Sequence, residues 1–237
     1  MRNTRSGGAL RAAESTPPRR ERNAAETRQR ILHAAELEFA KKGYDGARLG
    51  QIARSADVQQ ALIHHYFDDK QRLYQEVIER ALEAMSIEGW DVVHRVAQPL
   101  DGTRIPEIVE AFVDLLMRQA IEHGSVYAII RHASELEDEG RLAGADALIG
   151  RVMRERTKPV FDAVVALIET LIEKDYVRED VRPRHLCISA LSLVLVTVQD
   201  EQMVRALWPV DVRAPEFVRE RKAEIVATLL SRMLEPR

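Results

Sequence analysis

The sequence holds a single cysteine, Cys187, among 237 residues. No disulfide within the chain can staple the fold, and Cys187 sits in an apolar run where a small core residue is expected. Aromatic residues make up 5% of the chain, with 11 Gly and 9 Pro, a composition that disfavours a sheet-rich fold and favours an all-α one. No apolar run reaches the roughly 20 residues that a membrane helix needs. The most apolar stretch, Leu186 to Val198, is shorter. The N-terminus lacks the apolar segment of a secretory signal, so no membrane partner and a cytoplasmic location are expected. There is no phosphate-binding glycine loop, nucleophile elbow or HExxH. His132, Ser134 and Glu135 fall too close together on one helix to make a triad. The expectation is no enzyme, no catalytic residue, no cofactor and no metal.

Overall positive charge is also missing: the net charge is −3. The distribution is uneven, however. Eight arginines against three glutamates give residues 1–30 a charge of +5, which leaves −8 for the rest. A basic end and an acidic body fit a chain whose N-terminal part meets a polyanion. Residues 1–23 carry Gly7-Gly8, Pro17-Pro18 and scattered Arg without apolar period, which predicts a disordered basic arm. Arg19, Arg20 and Arg22 suit either DNA phosphates and a minor groove or a solvated tail.

From Thr27 the chain becomes periodic. Ile31, Leu32, Ala35 and Phe39 form a helical stripe ending at Gly43. Leu49 to Phe67 then reads as two short helices with a break at Ala56-Asp57-Val58: Leu49, Ile52 and Ala53 share one face, and Leu62, Ile63, Tyr66 and Phe67 another. Two helices joined by so short a turn form a helix-turn-helix, whose second helix can enter a major groove. Asp57 with Gln60, and Asp68 with Gln71, have the spacing of capping boxes, and Ser125 that of a later cap. Lys70 falls in the first turn of a fourth helix, where its ammonium and free backbone N–H groups face one phosphate. Gln59, Gln60 and Ala61 are the base-reading candidates, since Gln pairs with adenine and Ala meets a thymine methyl. Leu62, His64 and His65 complete that surface, and Thr27, Arg28, Arg48, His65, Tyr66 and Lys70 are phosphate candidates. For each of these a solvated or capping role is the alternative. His64 and His65 point about 100° apart on a helix and do not form a metal pair.

These residues carry a family resemblance. Ile31-Leu32, Ala34-Ala35, Phe39, Gly43-Tyr44, Leu49, Ile52-Ala53, Val58, His65-Tyr66-Phe67, Lys70 and Leu73-Tyr74 together resemble the DNA-binding domain of the TetR family of bacterial one-component regulators. The chain departs from that pattern at Ala47-Arg48, where Thr or Ser is common, at Asp57 for the turn Gly, at Gln59 for Ser and at His64 for Tyr. A later segment, Asp175 to Pro183, resembles the family's Gly-x-x-Arg-x-Asp-x-x-Pro turn, with Asp175 in place of the Gly.

The expected division is a basic arm over 1–23, a helix-turn-helix domain over 24–70 and a helical effector-binding and dimerisation domain over 71–237. Helix four is expected to end near Ile87, before Gly89 and Trp90. Pro106 sits in the first turn of another helix, His123-Gly124 stops it, and Pro159 divides a long pattern from Leu142 to Lys174. Leu186 to about Leu207 is apolar nearly all round, which predicts burial, and Phe217 to Leu234 is periodic. The resemblance implies that this pair, within residues 186–234, forms a homodimer. It also implies a small-molecule effector site. Met85, Met117, His123, Tyr127, Arg131, His132 and Glu135 are the candidates, with Met153 a further cavity residue; a solvated face or core packing is the plainer reading of each. The function so implied is a repressor released from a pseudo-palindromic double-stranded DNA operator by an effector. A chromosome-organising or protein-recruiting DNA-binding protein without effector is the alternative.

Overall fold

The computed structural model describes residues 19–137 and 145–234. Among them the chain is all-α, with no strand. The helices are α1 (Arg19–Gly46), α2 (Leu49–Ser55), α3 (Gln60–Phe67), α4 (Lys70–Val96), α5 (Ile105–Glu122), α6 (Gly124–Glu137), α7 (Ala145–Val152), α8 (Lys158–Glu173), α9 (Pro183–Gln199), α10 (Glu201–Leu207) and α11 (Pro215–Met233). The expected disordered arm over 1–23 lies outside the described residues up to 18. At its end it is corrected, because α1 already begins at Arg19. Thr27 is therefore inside a helix, and its hydroxyl donates to the Asn23 carbonyl at 2.8 Å instead of capping.

A first core gathers Ile31, Leu32, Ala35 and Phe39 of α1, Ile52 of α2, Ile63 and Phe67 of α3, and Leu73, Tyr74, Val77 and Ile78 of α4. It does not stop at residue 70. Met85, Val126, Ile129, Leu148, Ile149 and Val152 belong to the same cluster, so the helix-turn-helix unit rests on α6 and α7 as well. His132 of α6 donates to the Ala40 carbonyl at 3.1 Å, and Ser125 donates to the Glu36 carboxylate. Ser125 lies within α6, not at its N-cap, which corrects the capping expectation. A second core joins α5, α8, α9 and α11 through Ile105, Val113, Ile168, Leu171, Val194 and Ile225.

Aspartates shape the turns, and Asp57 and Asp175 do so by closing the helix before them rather than capping the one that follows. Asp57 has φ 53, and its N–H bonds to the Arg54 carbonyl at 3.2 Å while the Val58 N–H bonds to Ala53 at 3.0 Å. These paired bonds are a Schellman closure of α2, with Asp57 in the left-handed position usually held by glycine. Asp175 repeats it after α8: φ 58, with Asp175 N–H to Ile172 at 2.9 Å and Tyr176 N–H to Leu171 at 3.0 Å. Asp is among the few non-glycine residues that tolerate this backbone, which explains both departures from the resembled pattern. The N-cap of α3 is Gln59, with no side-chain bond. The cap of α4 is Asp69, which accepts from the Arg72 N–H at 2.7 Å, one residue later than the expected Asp68–Gln71 box.

Downstream of Asp175, the Arg178 guanidinium grips Asp180 with two bonds of 3.0 Å. Arg232 of α11 reaches the same carboxylate at 3.2 Å. Hydrogen bonds from both arginines hold the Asp180 carboxyl down at about 2. This clasp brings the turn before α9 onto the end of α11.

α4 does not end near Ile87. It runs through Gly89 to Val96, and Val92, Val93 and Val96 are buried. The helix continues through Gly89, whose missing side chain makes room for α8: an added Cβ would lie 2.7 Å from Val160 Cγ1. Pro159 falls in the first turn of α8, and the division it forces is a π-helical stretch, Met153–Thr157. The expected helix from Leu186 to Leu207 is two, α9 and α10, meeting at 75°. Among the described residues no single helix is long and apolar enough to cross a membrane. α9 is also not buried all round, because Ile188 and Val196 are 58% and 47% exposed on one face.

Gly89→Ala should destabilise the protein by about 1–3 kcal/mol through overpacking, measured by urea denaturation. Adding Val160→Ala should recover most of that loss, since the clashing methyl is then gone.

Candidate nucleic-acid interface and interior cavity

Gln59, Gln60, Ala61, His64 and His65 are exposed at the start and along the outer face of α3, Leu62 and Tyr66 are half-buried, and Ile63 and Phe67 anchor the inner face. This division follows from helical spacing: residues at i and i+4 share the core side, so the intervening ones face out. Gly50 of α2 lies under the end of the Gln60 side chain, and an added Cβ would stand 3.2 Å from Gln60 Oε1. Gln60 is thus laid across the start of α2. Arg48 is exposed just before α2, with no capping bond.

Other candidates are already engaged. Arg28 pairs with Glu76 of α4 and lies over the Phe67 ring at 5.1 Å, so it holds α1 to α3 and α4. Lys70 donates to the Asp45 carbonyl at 3.3 Å and lies over the Tyr44 ring at 4.7 Å. Burial lowers its pKa, opposed by the Asp45 charge. His64 donates from Nδ1 to the Asp68 carbonyl at 2.8 Å, and His65 packs edge-on against Tyr66.

The junction of α3 and α4 is tight. Asp68 has φ 60 and ψ −64, and the Asp69 N–H bonds to the Phe67 carbonyl at 2.6 Å. That is a γ-turn of the rarer positive-φ kind, a strained backbone held by the structure around it. Outward-facing α3 is therefore joined to α4 with almost no slack.

Against the middle of α4 lies an apolar cavity of about 210 Å³, walled by α4, α5, α6, the π-helical stretch, α8 and α9. Met85 and Tyr127 line it, together with Met153, Phe112, Phe161 and Cys187. A smaller void of about 60 Å³ shares Phe112, Leu116, Val164, Cys187 and Ala190 with it. The other expected effector residues lie elsewhere. Met117 is buried in the second core, His123 faces Glu88, and Arg131 is on a separate surface groove beside α10. His132 binds α1, and the Glu135 side chain is outside the described residues. Clustering in sequence was a poor guide here, because adjacent helix positions face different neighbours.

Sequence reasoning missed the polar atoms of the cavity. Ser86 is committed to the Arg156 carbonyl at 2.8 Å, and Gln119 to the Met85 carbonyl at 2.9 Å. Thr157 lines the cavity with a buried hydroxyl that has no hydrogen-bond partner. Burial pushes the Tyr127 phenol up to about 12 and the Cys187 thiol up to about 11. Both are neutral at physiological pH, and Cys187 is not a nucleophile there.

Two family models match. "Bacterial regulatory proteins, tetR family" covers residues 31–77, and "Tetracyclin repressor-like, C-terminal domain" covers residues 107–229. The HTH-type transcriptional regulator YxaF of Bacillus subtilis is 26% identical over 157 residues, 65% of this chain and 75% of that protein. The HTH-type transcriptional repressor KstR of Rhodococcus jostii is 29% identical over 140 residues, 58% of this chain and 64% of that protein. The structure of the fatty acid degradation regulator FadR from Bacillus halodurans superposes with a TM-score of 0.57 at 18% identity, covering 84% of this chain and 94% of that one.

Thr157→Val removes a hydroxyl that lacks a partner while keeping its volume. In the ligand-free protein it should leave stability unchanged or raise it by up to about 1 kcal/mol. A urea midpoint that falls instead would reveal a partner for the hydroxyl.

Proposed function

Because the chain belongs to the TetR family of bacterial regulatory proteins and is a DNA-binding transcription regulator, we propose that it is a dimeric cytoplasmic repressor released from a pseudo-palindromic operator by a small, mainly apolar effector. The observation that carries this reading is the outward presentation of Gln59, Gln60, Ala61 and His65 on α3, joined through the γ-turn at Asp68 to the helix that walls the cavity. In this reading residues 24–70 form the DNA-reading unit and residues 71–237 the effector and dimer unit. KstR, a repressor by name, supports repression.

Gln59, Gln60 and Ala61 read base edges, while Arg48 and Tyr66 hold phosphates. Lys70 and Arg28 are positioning residues: they set α1 and α4 around α3, and the N–H groups at the start of α4 supply a phosphate contact. The exposed faces of α9 and α11, with Ile188 and Val196 on the former, meet their counterparts in a second copy. Such a symmetric contact places the two α3 helices for half-sites about 34–36 Å apart.

The cavity selects a neutral, largely apolar effector, because an ionised group there would lose its hydration without a charged partner. Thr157 and Tyr127 offer it hydroxyls. Filling the cavity favours one position of α4 and thereby of α3, so operator and effector oppose one another reciprocally.

Binding sites selected from random DNA provide the test of the interface. Gln60→Ala should lose about 1–3 kcal/mol and relax preference at particular base pairs. Arg48→Ala should weaken all sequences alike and reduce the salt slope by about one. Identical sequence profiles for wild type and Gln60→Ala would reject the base-reading role.

A second test concerns the cavity. Ala190→Phe, which projects a ring into both voids, should abolish binding of the neutral dye N-phenyl-1-naphthylamine, followed by fluorescence, and leave operator binding intact. Dye binding unchanged by this substitution would place the effector elsewhere.

A further inference from the structure

Where α4 passes the end of α5, three potential metal donors converge: a carboxylate oxygen of Glu88, one of Glu122 and a ring nitrogen of His123 lie within 4.8 Å of one another. We propose that they form a binding site for a divalent transition-metal ion of the zinc class, apart from both the DNA-reading face and the apolar cavity.

The geometry suits such an ion. His123 Nε2 stands 3.6 Å from Glu88 Oε1. Bonds of about 2.0–2.2 Å in a tetrahedral site place neighbouring donors about 3.3–3.6 Å apart. Nε2 is buried and has no hydrogen-bond partner, which is uncommon for a buried polar atom. At 3.6 Å the carboxylate is beyond hydrogen-bond reach of it. The Glu88 carboxylate is steadied from its far side, where the buried Gln119 amide donates to Oε2 at 3.2 Å and to the Met85 carbonyl at 2.9 Å. Outer partners of this kind orient a ligand before the metal arrives. Glu122 is exposed, so its side chain can turn to close the third bond and water can take the fourth. Glu122 ends α5 and His123 is its C-cap, where the helix dipole favours a cation.

Of the neighbouring cations, Arg213 donates to the Ile121 carbonyl at 3.4 Å and pairs with Glu201, and Arg118 stands 4.0 Å from Glu88 Oε2 and 3.9 Å from Asp114. Arg118 lies on the Oε2 side of the carboxylate, whereas the ion would lie against Oε1. One imidazole with two carboxylates favours zinc-class ions over calcium or magnesium, which prefer all-oxygen sets. An ion here would tie α4 to α5 by direct bonds.

Titration of the full chain, stripped with chelator and desalted, with Co²⁺ alone is the test. Wild type should develop visible d–d absorption saturating at one ion per chain, displaced by Zn²⁺. His123→Ala and Glu88→Gln should each weaken binding at least about tenfold. Glu122→Gln, at an exposed position where misfolding is not expected, should weaken it too and should abolish the rise in melting temperature that Zn²⁺ gives wild type. No saturable binding by wild type, or equal binding by wild type, His123→Ala and Glu122→Gln, would overturn the site.

Discussion

The constraint on which the molecule depends is the unbroken course of α4. Twenty-seven residues from Lys70 to Val96 span about 40 Å at 1.5 Å each. Its first half supplies Leu73, Tyr74, Val77, Ile78, Ala81 and Leu82 to the core that carries the DNA-facing unit. Its second half supplies Val92 and Val96 to a cluster shared with Ile108 and Leu115 of α5. Between these ends, Met85, Ser86 and Gly89 form a wall of the cavity. One helix packed at both ends thus carries the cavity wall and the core of the DNA-facing unit on a single continuous element. The absence of a side chain at Gly89 lets α8 press against α4 at the level of the cavity.

The connection at the DNA end is equally stiff. Asp68 occupies a strained γ-turn, the His64 ring closes over its carbonyl, and Asp69 caps α4 at once. Arg28 adds a clasp from α1, touching both Glu76 and the Phe67 ring. Polar side chains near this surface thus divide: Arg28, Lys70 and His64 are held by short-range partners, while Gln59 and Gln60 stand exposed. The same division appears at the other end, where Arg178, Asp180 and Arg232 fasten the turn before α9 to α11. Arg221 of α11 bonds to the Leu193 carbonyl of α9 at 2.8 Å. These two helices are bound to each other on one side and show apolar side chains such as Ile188 and Val196 on the other.

The sequence by itself determined the helical class, the helix-turn-helix and its core, because Ile31, Phe39, Ile52, Ile63 and Phe67 recur at spacings that only a helix turns to one side. It also marked Pro106 as lying in the first turn of a helix and Pro159 as dividing a long helical pattern. What the tertiary structure alone decided are matters of neighbours across long separations. Gly89 read as a stop, yet it is a contact with Val160, since local propensity carries no record of the helix packed opposite. Asp57 and Asp68 read as caps of the next helix, yet each takes positive φ after the preceding one, because the two uses share a residue type and differ only in φ. His123, Tyr127 and Arg131 lie four residues apart, at successive levels that meet different elements, and His132 is turned about 100° from Arg131 toward α1. The cavity, the unpartnered Thr157 hydroxyl and the meeting of Glu88 with Glu122 and His123 depend on which helices lie side by side, and a one-dimensional pattern does not encode that.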